Sequence, residues 1–308
     1  MQDLIQALLT GLALGSVFAL IALGYTLVYG IIELINFAHG DLFMLTSFAA
    51  LTVLEAFAIG RGSPLGTKVG ALFLALLVAM LFGAVVNVLI ERLAYRRLRN
   101  APRLTPLISA IGMSFILIQI GQYWKGSRPL DVPRVINRLD LLGPLDIGVR
   151  FFLRDLILIL VTIPILLGLL YVVNRTRIGK AMRATAQDRD ASALMGIDIN
   201  RTIAFAFLLG GALAGAAGVM YGQYTLTTDY QRGFETGLKA FTAAVLGGIG
   251  NLNGAVLGGL LIGIIQAMSE RFLQNGSAWA NAVIFAILIT ILVFRPSGLL
   301  GEQTPDKA

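Results

Sequence analysis

Four polar side chains that could take part in chemistry fall within nine residues near the start of the chain: Glu33, Asn36, His39 and Asp41. Apolar sequence surrounds them on both sides. If this segment lies inside a membrane, its ionisable groups are costly to bury in lipid and are expected to line a pathway. The same cluster also suits a solvated turn at a membrane surface, with Asn36 or Asp41 capping a helix end. Asn36, His39 and Asp41 are therefore candidate pathway residues.

A second polar interruption lies near the other end of the chain, where Asn251 and Asn253 stand among glycines in an apolar stretch. Interrupted backbone frees N–H and C=O groups that lipid cannot satisfy, so such a break must face protein or a cavity. We expect both asparagines to line the same pathway as the first cluster.

Covalent and metal chemistry find little support in the sequence. The chain has no cysteine and a single histidine, which excludes disulfides, thiolate metal sites and a cysteine nucleophile. The string nearest to a phosphate-binding loop, GSPLGTK at 62–68, lacks the required spacing and follows no predicted strand. No serine stands in a nucleophile-elbow context. We predict that the chain is not an enzyme and binds no metal, cofactor or ATP itself.

The composition indicates a membrane protein. Hydrophobic residues make up 57% of the 308 residues and charged residues 13%, whereas soluble globular proteins carry about 25% charged residues. Most of the surface must therefore face lipid. Glycine pairs at four-residue spacing, such as Gly11 with Gly15 and Gly211 with Gly215, predict faces where membrane helices approach closely.

Eight apolar runs in the sequence are long enough to cross a bilayer, whose core of about 30 Å needs roughly 20 helical residues. They are 4–22, 40–60, 68–91, 105–123, 153–173, 201–224, 253–272 and 278–294. Two shorter, Gly-bearing runs, 24–35 and 238–250, each lead into a polar break, as half-helices do. We predict an all-α, polytopic fold of about eight to nine transmembrane helices with two broken or re-entrant segments. It forms a single domain over 1–308.

The two polar breaks share a pattern. Residues 29–40 and 246–254 each contain glycine, an asparagine and a closing glycine. Transporters are often built from inverted repeats whose broken helices meet near the bilayer midplane. An inverted repeat is one interpretation of this similarity, and chance resemblance in Gly-rich membrane sequence is the other.

Basic residues concentrate in two segments between apolar runs. The first holds Arg92, Arg96, Arg97, Arg99 and Arg103, and the second holds Arg175, Arg177, Lys180, Arg183 and Arg189. Loops rich in Lys and Arg stay in the cytoplasm, and two spans separate these segments, so both are predicted to be cytoplasmic. Counting spans then predicts an N-terminus outside and a C-terminal tail, with Arg295 and Lys307, inside.

The second basic segment has features of a docking element. Residues 179–195 combine strong helix formers with no proline, and Gly196 can end a helix in the left-handed conformation. Asp198 or Asn200 then caps the next span. A capped helix within a cytoplasmic loop at 174–200 is longer than a connection requires. A helix that rests on lipid headgroups through its arginines is the alternative.

Four motifs occur in order along the chain: GYTLVYG at 24–30, INFAHGD at 35–41, LISAIGM at 107–113 and KAFTAAVLGGIG at 239–250. Together they resemble the LivH-type permeases of bacterial branched-chain amino acid ABC transporters, over about residues 8–300. The resemblance implies a multi-pass permease of the inner membrane that imports leucine, isoleucine and valine. It also implies a related second permease, two subunits that hydrolyse ATP and a periplasmic binding protein as partners.

The resemblance assigns a role to the second basic segment. In such importers an Ala-rich cytoplasmic loop that ends in Gly docks on the ATPase, and residues 184–196 occupy that position here. The Glu that opens the broader importer signature is absent. The residues expected to couple to the ATPase are Arg183, Ala184, Asp188, Ala191 and Gly196.

Three other transport functions are alternatives to this one: import of another small solute, ion-coupled secondary transport and a channel. Related permeases carry urea, short amides or sugars, so another small solute is an alternative substrate. An ion-coupled secondary transporter would need intramembrane carboxylates, and apart from the cluster near Asp41 the sequence offers none. A channel would need a repeated filter or a ring of charge. Because few charges lie at depth, we expect the pore to bind its substrate weakly and the binding protein to supply specificity.

Overall fold

The computed structural model describes residues 1–60, 62–99, 101–102, 104–145 and 148–301. Arg103 and Lys307, which entered the orientation prediction, lie outside these residues. Within them the chain forms eleven α-helices and one antiparallel pair of two-residue strands. The prediction of an all-α fold is confirmed. The helices are α1 (Gln2–Ile32), α2 (Ala38–Ala56), α3 (Leu65–Ile90), α4 (Leu104–Lys125), α5 (Leu153–Arg175), α6 (Arg177–Gln187), α7 (Arg189–Leu194), α8 (Ile199–Thr225), α9 (Arg232–Gly247), α10 (Leu252–Phe272) and α11 (Gly276–Phe294), and the strands are β1 (Leu130–Asp131) and β2 (Thr227–Thr228).

Short turns extend or connect these helices. A π-helical turn, Glu91–Tyr95, and a 3₁₀ turn, Arg96–Leu98, continue α3, and a further 3₁₀ turn covers Gly143–Leu145. The strand pair joins the long segment after α4 to the segment after α8, with Leu130 opposite Thr228.

In the part of the chain that the structure describes, seven helices are long and apolar enough to cross a membrane. They are α1, α3 with its extension, α4, α5, α8, α10 and α11. The predicted run 40–60 corresponds to α2, which carries His39, Asp41 and Glu55. Most of the run 238–250 falls in α9, which has only 16 residues and ends at Gly247. The predicted total of eight to nine spans is therefore not confirmed.

The first short run is not a separate half-helix, and that prediction is wrong. Helix α1 continues without a break for 31 residues, from Gln2 to Ile32. Gly24 and Gly30 both lie inside this helix. Gly24 packs tightly against His39, and Gly30 faces Gly250 at ordinary contact distance. The break begins only at Glu33, which ends α1 in the left-handed conformation with φ 54°.

The segment after Glu33 returns alongside α1. His39, in the first turn of α2, packs against Gly24, which lies eight residues, or about 12 Å, before the end of α1. Two residues later, Asp41 contacts Ser114, the eleventh of the 22 residues of α4. Helix α2 therefore begins inside the bundle, level with the middle of its neighbours.

Helix α9 meets α2 at this level. The chain leaves α8 at Leu226, again in the left-handed conformation with φ 58°, and turns into α9. A Cβ atom on Gly40 would lie 2.6 Å from the carbonyl oxygen of Gly233, and a Cβ on Gly233 would lie 2.8 Å from that of Gly40. The first turns of α2 and α9 thus cross in direct backbone contact.

Glycine faces also hold the long helices together. Gly11 and Gly15 of α1 pack against the backbone of α10, where Gly263 lies against Gly15. Gly211 of α8 packs against Gly83 of α3 in the same way. Because these are contacts within the chain, the predicted helix faces are confirmed as intramolecular ones.

The predicted single helix over 179–195 is wrong, since the segment forms two helices. Asp188 separates α6 from α7 with an extended backbone, φ −155° and ψ 113°. Its carboxylate accepts a hydrogen bond from the backbone N–H of Ala191 at 2.9 Å. Aspartate competes for backbone N–H groups, so it favours a helix cap over a helix interior.

The predicted end of this segment is confirmed. Gly196 has φ +82°, and the N–H of Ile197 donates to the carbonyl of Ser192 at 3.0 Å, as in a Schellman motif. Asp198, rather than Asn200, caps α8.

Candidate functional site

Buried amide and phenol groups hold the first break. The Asn36 side chain donates to Oδ1 of Asn87 at 3.3 Å, and Asn87 donates to the carbonyl of Phe207 at 2.6 Å. The Tyr95 hydroxyl lies 3.2 Å from both Oδ1 of Asn36 and the carbonyl of Ile35. The first turn of α2 has no side-chain cap. The interpretation of Asn36 as a helix cap is therefore wrong, and its role is to connect the break to α3.

His39 and Asp41 are fully buried in the first turn of α2. The His39 ring packs edge-on to Tyr25, with 4.7 Å between ring centroids, and Asp41 accepts a hydrogen bond from Ser114. Neither nitrogen of His39 nor Oδ1 of Asp41 has a hydrogen-bond partner among the described residues. Buried polar atoms without partners are costly, so a water molecule or a substrate group would stabilise them. Among all the residues that the structure describes, no three His, Asp or Glu side chains are close enough together to hold a metal ion.

The second pair of predicted pathway residues does not join the first. The Asn251 side chain caps α10 by accepting from the N–H of Gly254 at 3.0 Å, and it donates to the carbonyl of Leu300 at 2.8 Å. Asn253 is exposed. Gly250 faces Gly30 near the end of α1, about 9 Å further along that helix than the residue that His39 contacts. The structure therefore separates the two sets.

A buried ion cluster, which the sequence analysis missed, links the first basic segment to α8. Glu91 is fully buried and pairs with Arg96 at 3.0 Å and with Arg99. Arg99 also donates to Oδ1 of Asn200 at 2.7 Å. Burial lowers the pKa of the Arg99 guanidinium, whereas its attraction to Glu91 opposes that shift. The signal in the sequence is one acid beside five arginines. The cluster brings both basic segments to the same end of the bundle.

Helices α6 and α7 are tied to the same end. Arg183 donates to the carbonyl of Val173, near the end of α5, and the neighbouring Ala184 is half-buried. Arg189 donates to the carbonyl of Ile31, in the last turn of α1, at 2.9 Å. Movement of this segment would therefore act directly on α1 and on the break that follows it.

The outer side of α7 is unusually apolar for a surface. Leu194 is 89% exposed and Met195 is 83% exposed, although neither lies in a candidate membrane span. Ala191 and Gly196 are exposed beside them, while Asp188 forms the cap described above. Large apolar side chains that are exposed next to each other in this way indicate a protein or membrane contact.

A second charged group that the sequence analysis missed lies on α9. Lys239 is buried and pairs with Glu235, one helical turn earlier, at 3.1 Å. Asn281 of α11 donates to the same carboxylate at 3.1 Å. The Glu235 side chain is 51% exposed. An acid and a base at four-residue spacing in a short, Gly-bearing helix is the signal that could have revealed this pair.

Comparison with known proteins gives a consistent set of similarities. Residues 7–292 match the family model described as branched-chain amino acid transport system / permease component. The chain is 39% identical over 306 residues to the high-affinity branched-chain amino acid transport system permease protein LivH of Escherichia coli, with 98% of this chain and 97% of that protein covered. It is 40% identical over 305 residues to BraD, the corresponding permease protein of Pseudomonas aeruginosa, with the same coverage of 98% and 97%. It is 26% identical over 287 residues to the autoinducer 2 import system permease protein LsrC of Yersinia pseudotuberculosis, with 90% of this chain and 74% of that protein covered.

Proposed function

The chain belongs to the family of branched-chain amino acid transport permeases, and we propose that it is a membrane subunit of an ABC importer for leucine, isoleucine and valine. The observation that carries this proposal is the 39–40% identity to LivH and BraD, which extends over 98% of the chain. The seven apolar helices found among the described residues agree with a multi-pass protein of the inner membrane. The chain moves its substrate without covalent change, and ATP is hydrolysed by other subunits.

Four partners complete the proposed importer: a related second permease, two ATP-binding subunits and a periplasmic binding protein. The contact of Arg99 with Asn200 supports a shared, cytoplasmic side for the two basic segments. With that side inside, α1 starts on the periplasmic side of the membrane and the C-terminal tail after α11 lies in the cytoplasm.

The ATP-binding subunits dock on α6 and α7 in this proposal. Exposed Leu194 and Met195 provide an apolar contact for these subunits. The small side chain of exposed Ala191 allows the subunits to approach α7 closely. Arg183 and Arg189 pass the movement to α5 and α1 through the carbonyl groups that they bind.

The proposed substrate pathway runs past the crossing of α2 and α9. Asn36, His39 and Asp41 belong to it because they are polar groups buried level with the middle of α4. Asn251 and Asn253 belong to its cytoplasmic end, near the last turn of α1. The chain contains no cysteine, so single cysteines can be introduced at these positions without a background reaction.

Single-cysteine labelling tests this pathway. We expect small aqueous thiol reagents to react at positions 36, 39 and 41 at rates that change with ATP or with binding protein, since these side chains are closed off in the present conformation. A cysteine in place of exposed Leu104, the first residue of α4, is the control and should react at one constant rate. Uniform protection at all three positions in every state would contradict the proposal.

An inverted repeat of α1–α4 and α8–α11 accounts for the crossing. Both first helices end at a non-glycine residue in the left-handed conformation, Glu33 and Leu226, and both lead to a short helix with glycine in its first turn. In this repeat α1 corresponds to α8 and α3 corresponds to α10. The glycine contact of α1 with α10 then corresponds to the glycine contact of α8 with α3. The broken segment that matches 33–37 is then 226–231, in place of the stretch 246–254 that the sequence pattern indicated.

Import of another small solute is the second candidate, favoured by the similarity to LsrC. That identity, 26%, is well below the 39–40% shared with LivH and BraD. Purification of the chain from its native membrane tests the transporter class for either substrate. We expect two ATP-binding subunits and a second permease to co-purify, and recovery without any ATP-binding subunit would contradict an ABC importer.

A further inference from the structure

Three contacts show at which level of the bundle the first turns of α9 lie. Gly233 touches the backbone of Gly40, and Asp41, the next residue, bonds Ser114 at the middle of α4. Two residues beyond Gly233, Glu235 accepts a hydrogen bond from Asn281, the sixth residue of the apolar helix α11. Glu235 is therefore level with the interior of the candidate membrane spans and well away from their ends.

Glu235 combines this depth with exposure. About half of its side chain, 51%, is exposed on the surface of the chain, whereas the carboxylate of Asp41, in the neighbouring turn of α2, is fully buried. An ionised carboxylate that faces lipid at such depth costs several kcal/mol, so acids in this position face water or other protein groups. The face of α9 that carries Glu235 is therefore covered by something other than lipid.

The surroundings of Glu235 match an amino acid in its zwitterionic form. The carboxylate is a partner for an ammonium group, and Lys239, at 3.1 Å from it, is a partner for a carboxylate. Phe234, the residue before Glu235 in α9, is also exposed. Oδ1 of Asn281, buried without a partner among the described residues, leaves one more acceptor at the same place.

We propose that Glu235 and Lys239 form a contact site for the ammonium and carboxylate groups of the substrate, on a water-filled pathway along α9. This inference rests on the proposed function and names the substrate groups that the pathway recognises. In the absence of substrate the two side chains neutralise each other, which lowers the cost of holding charge at this depth. The internal pair competes with the substrate, so the site binds weakly and releases its substrate easily.

Replacement of the charge tests the contact. Glu235→Gln keeps the size of the side chain and its hydrogen bond to Asn281 but removes the partner for the ammonium group. In proteoliposomes that contain the complete importer with external binding protein, we expect leucine uptake per ATP hydrolysed to fall about tenfold, as for the loss of one charge-assisted hydrogen bond. ATP hydrolysis stimulated by the binding protein should persist. Glu270→Gln, which removes an exposed carboxylate near the end of α10, is the matched control and should leave the ratio unchanged.

Chemical labelling separates a pathway from a subunit contact. With Glu235→Cys in the same importer, we expect charged, membrane-impermeant thiosulfonate reagents to react, and leucine with binding protein to slow the reaction. A cysteine that never reacts, together with loss of the second permease from the purified complex, would show that Glu235 pairs with the partner subunit and would overturn the proposal. Unchanged uptake per ATP in Glu235→Gln would overturn it as well. If the unaltered importer moves no leucine at all, the proposed function itself has failed, which is a separate result.

Discussion

Tyr95 and Asn87 replace the helical hydrogen bonds that are missing where the chain leaves α1. The Tyr95 hydroxyl reaches the carbonyl of Ile35, and Asn87 holds the side chain of Asn36. Backbone groups freed inside a membrane must find such partners within the protein. Residue types alone identify Asn36 as unusual, but they do not reveal its partners, because Asn87 and Tyr95 lie 51 and 59 residues further along the chain.

The buried carboxylate of Glu91 should contribute more to the stability of the fold than the half-exposed carboxylate of Glu55. We expect Glu91→Gln to lower the free energy of unfolding by about 3 kcal/mol or more, because Arg96 and Arg99 lose their buried counter-charge. Glu55→Gln, the matched control, breaks a pair with Lys125 in which the Glu55 side chain is 49% exposed, and should cost at most about 1 kcal/mol. The temperature at which half of each purified variant remains monodisperse measures the difference. Equal midpoints would contradict the structural role of Glu91.

The contact between Gly40 and Gly233 allows no side chain. A Cβ on Gly40 would lie 2.6 Å from the carbonyl oxygen of Gly233 and 2.9 Å from the Cα of Gly237. Both are backbone atoms that cannot rotate away, so we expect Gly40→Ala to push α2 from α9 and to reduce the yield of folded protein sharply. Gly70→Ala, on α3 with open space around it, should be neutral or slightly stabilising. Size-exclusion profiles of the two variants decide the matter, and similar yields would show that the crossing is looser than described.

The local sequence predicts helix in the segment that forms α6 and α7, but it does not predict that the segment is divided into two helices. Three side-chain caps occur within 23 residues, at Thr176, Asp188 and Asp198. Residue types predict the stop at Gly196, and they narrow the cap of α8 to Asp198 or Asn200, of which the structure uses Asp198. The cap at Asp188 was not predicted, because the residues around it are strong helix formers and the choice between continuing and restarting a helix depends on the contacts of α6 with α5.

Two substitutions, one in α7 and one just after it, should uncouple the permease in different ways. Ala191 is exposed, so Ala191→Trp fits within this chain and harms only a contact with a partner. Gly196→Val forces a β-branched residue into φ +82°, which costs about 1–2 kcal/mol and changes the path from α7 to α8. We expect the first to reduce co-purification of the ATP-binding subunits and the second to reduce uptake with the subunits still bound. Normal uptake by both, at equal amounts of permease in the membrane, would show that α7 only rests on the membrane surface.

The molecule is organised by long helices with exposed apolar outer faces around a largely apolar core, which also encloses a few polar side chains such as His39 and Asp41. The eight apolar runs all coincide with helices, because hydrophobic length is a strong signal in membrane sequence. The unbroken course of α1 and the return of the chain to α2 could not be predicted in this way. Both depend on contacts between distant residues, such as Gly24 with His39 and Asp41 with Ser114, and no local pattern encodes them.

The most direct test of the account is uptake of labelled leucine by the purified importer in proteoliposomes, with ATP inside and binding protein outside. We expect accumulation that requires both ATP and binding protein, and competition by isoleucine and valine but not by urea. A variant of the ATP-binding subunit that binds but does not hydrolyse ATP should abolish it. Accumulation that depends on an ion gradient and not on ATP would contradict the account. ATP-driven uptake of another solute, without any uptake of leucine, would contradict it as well.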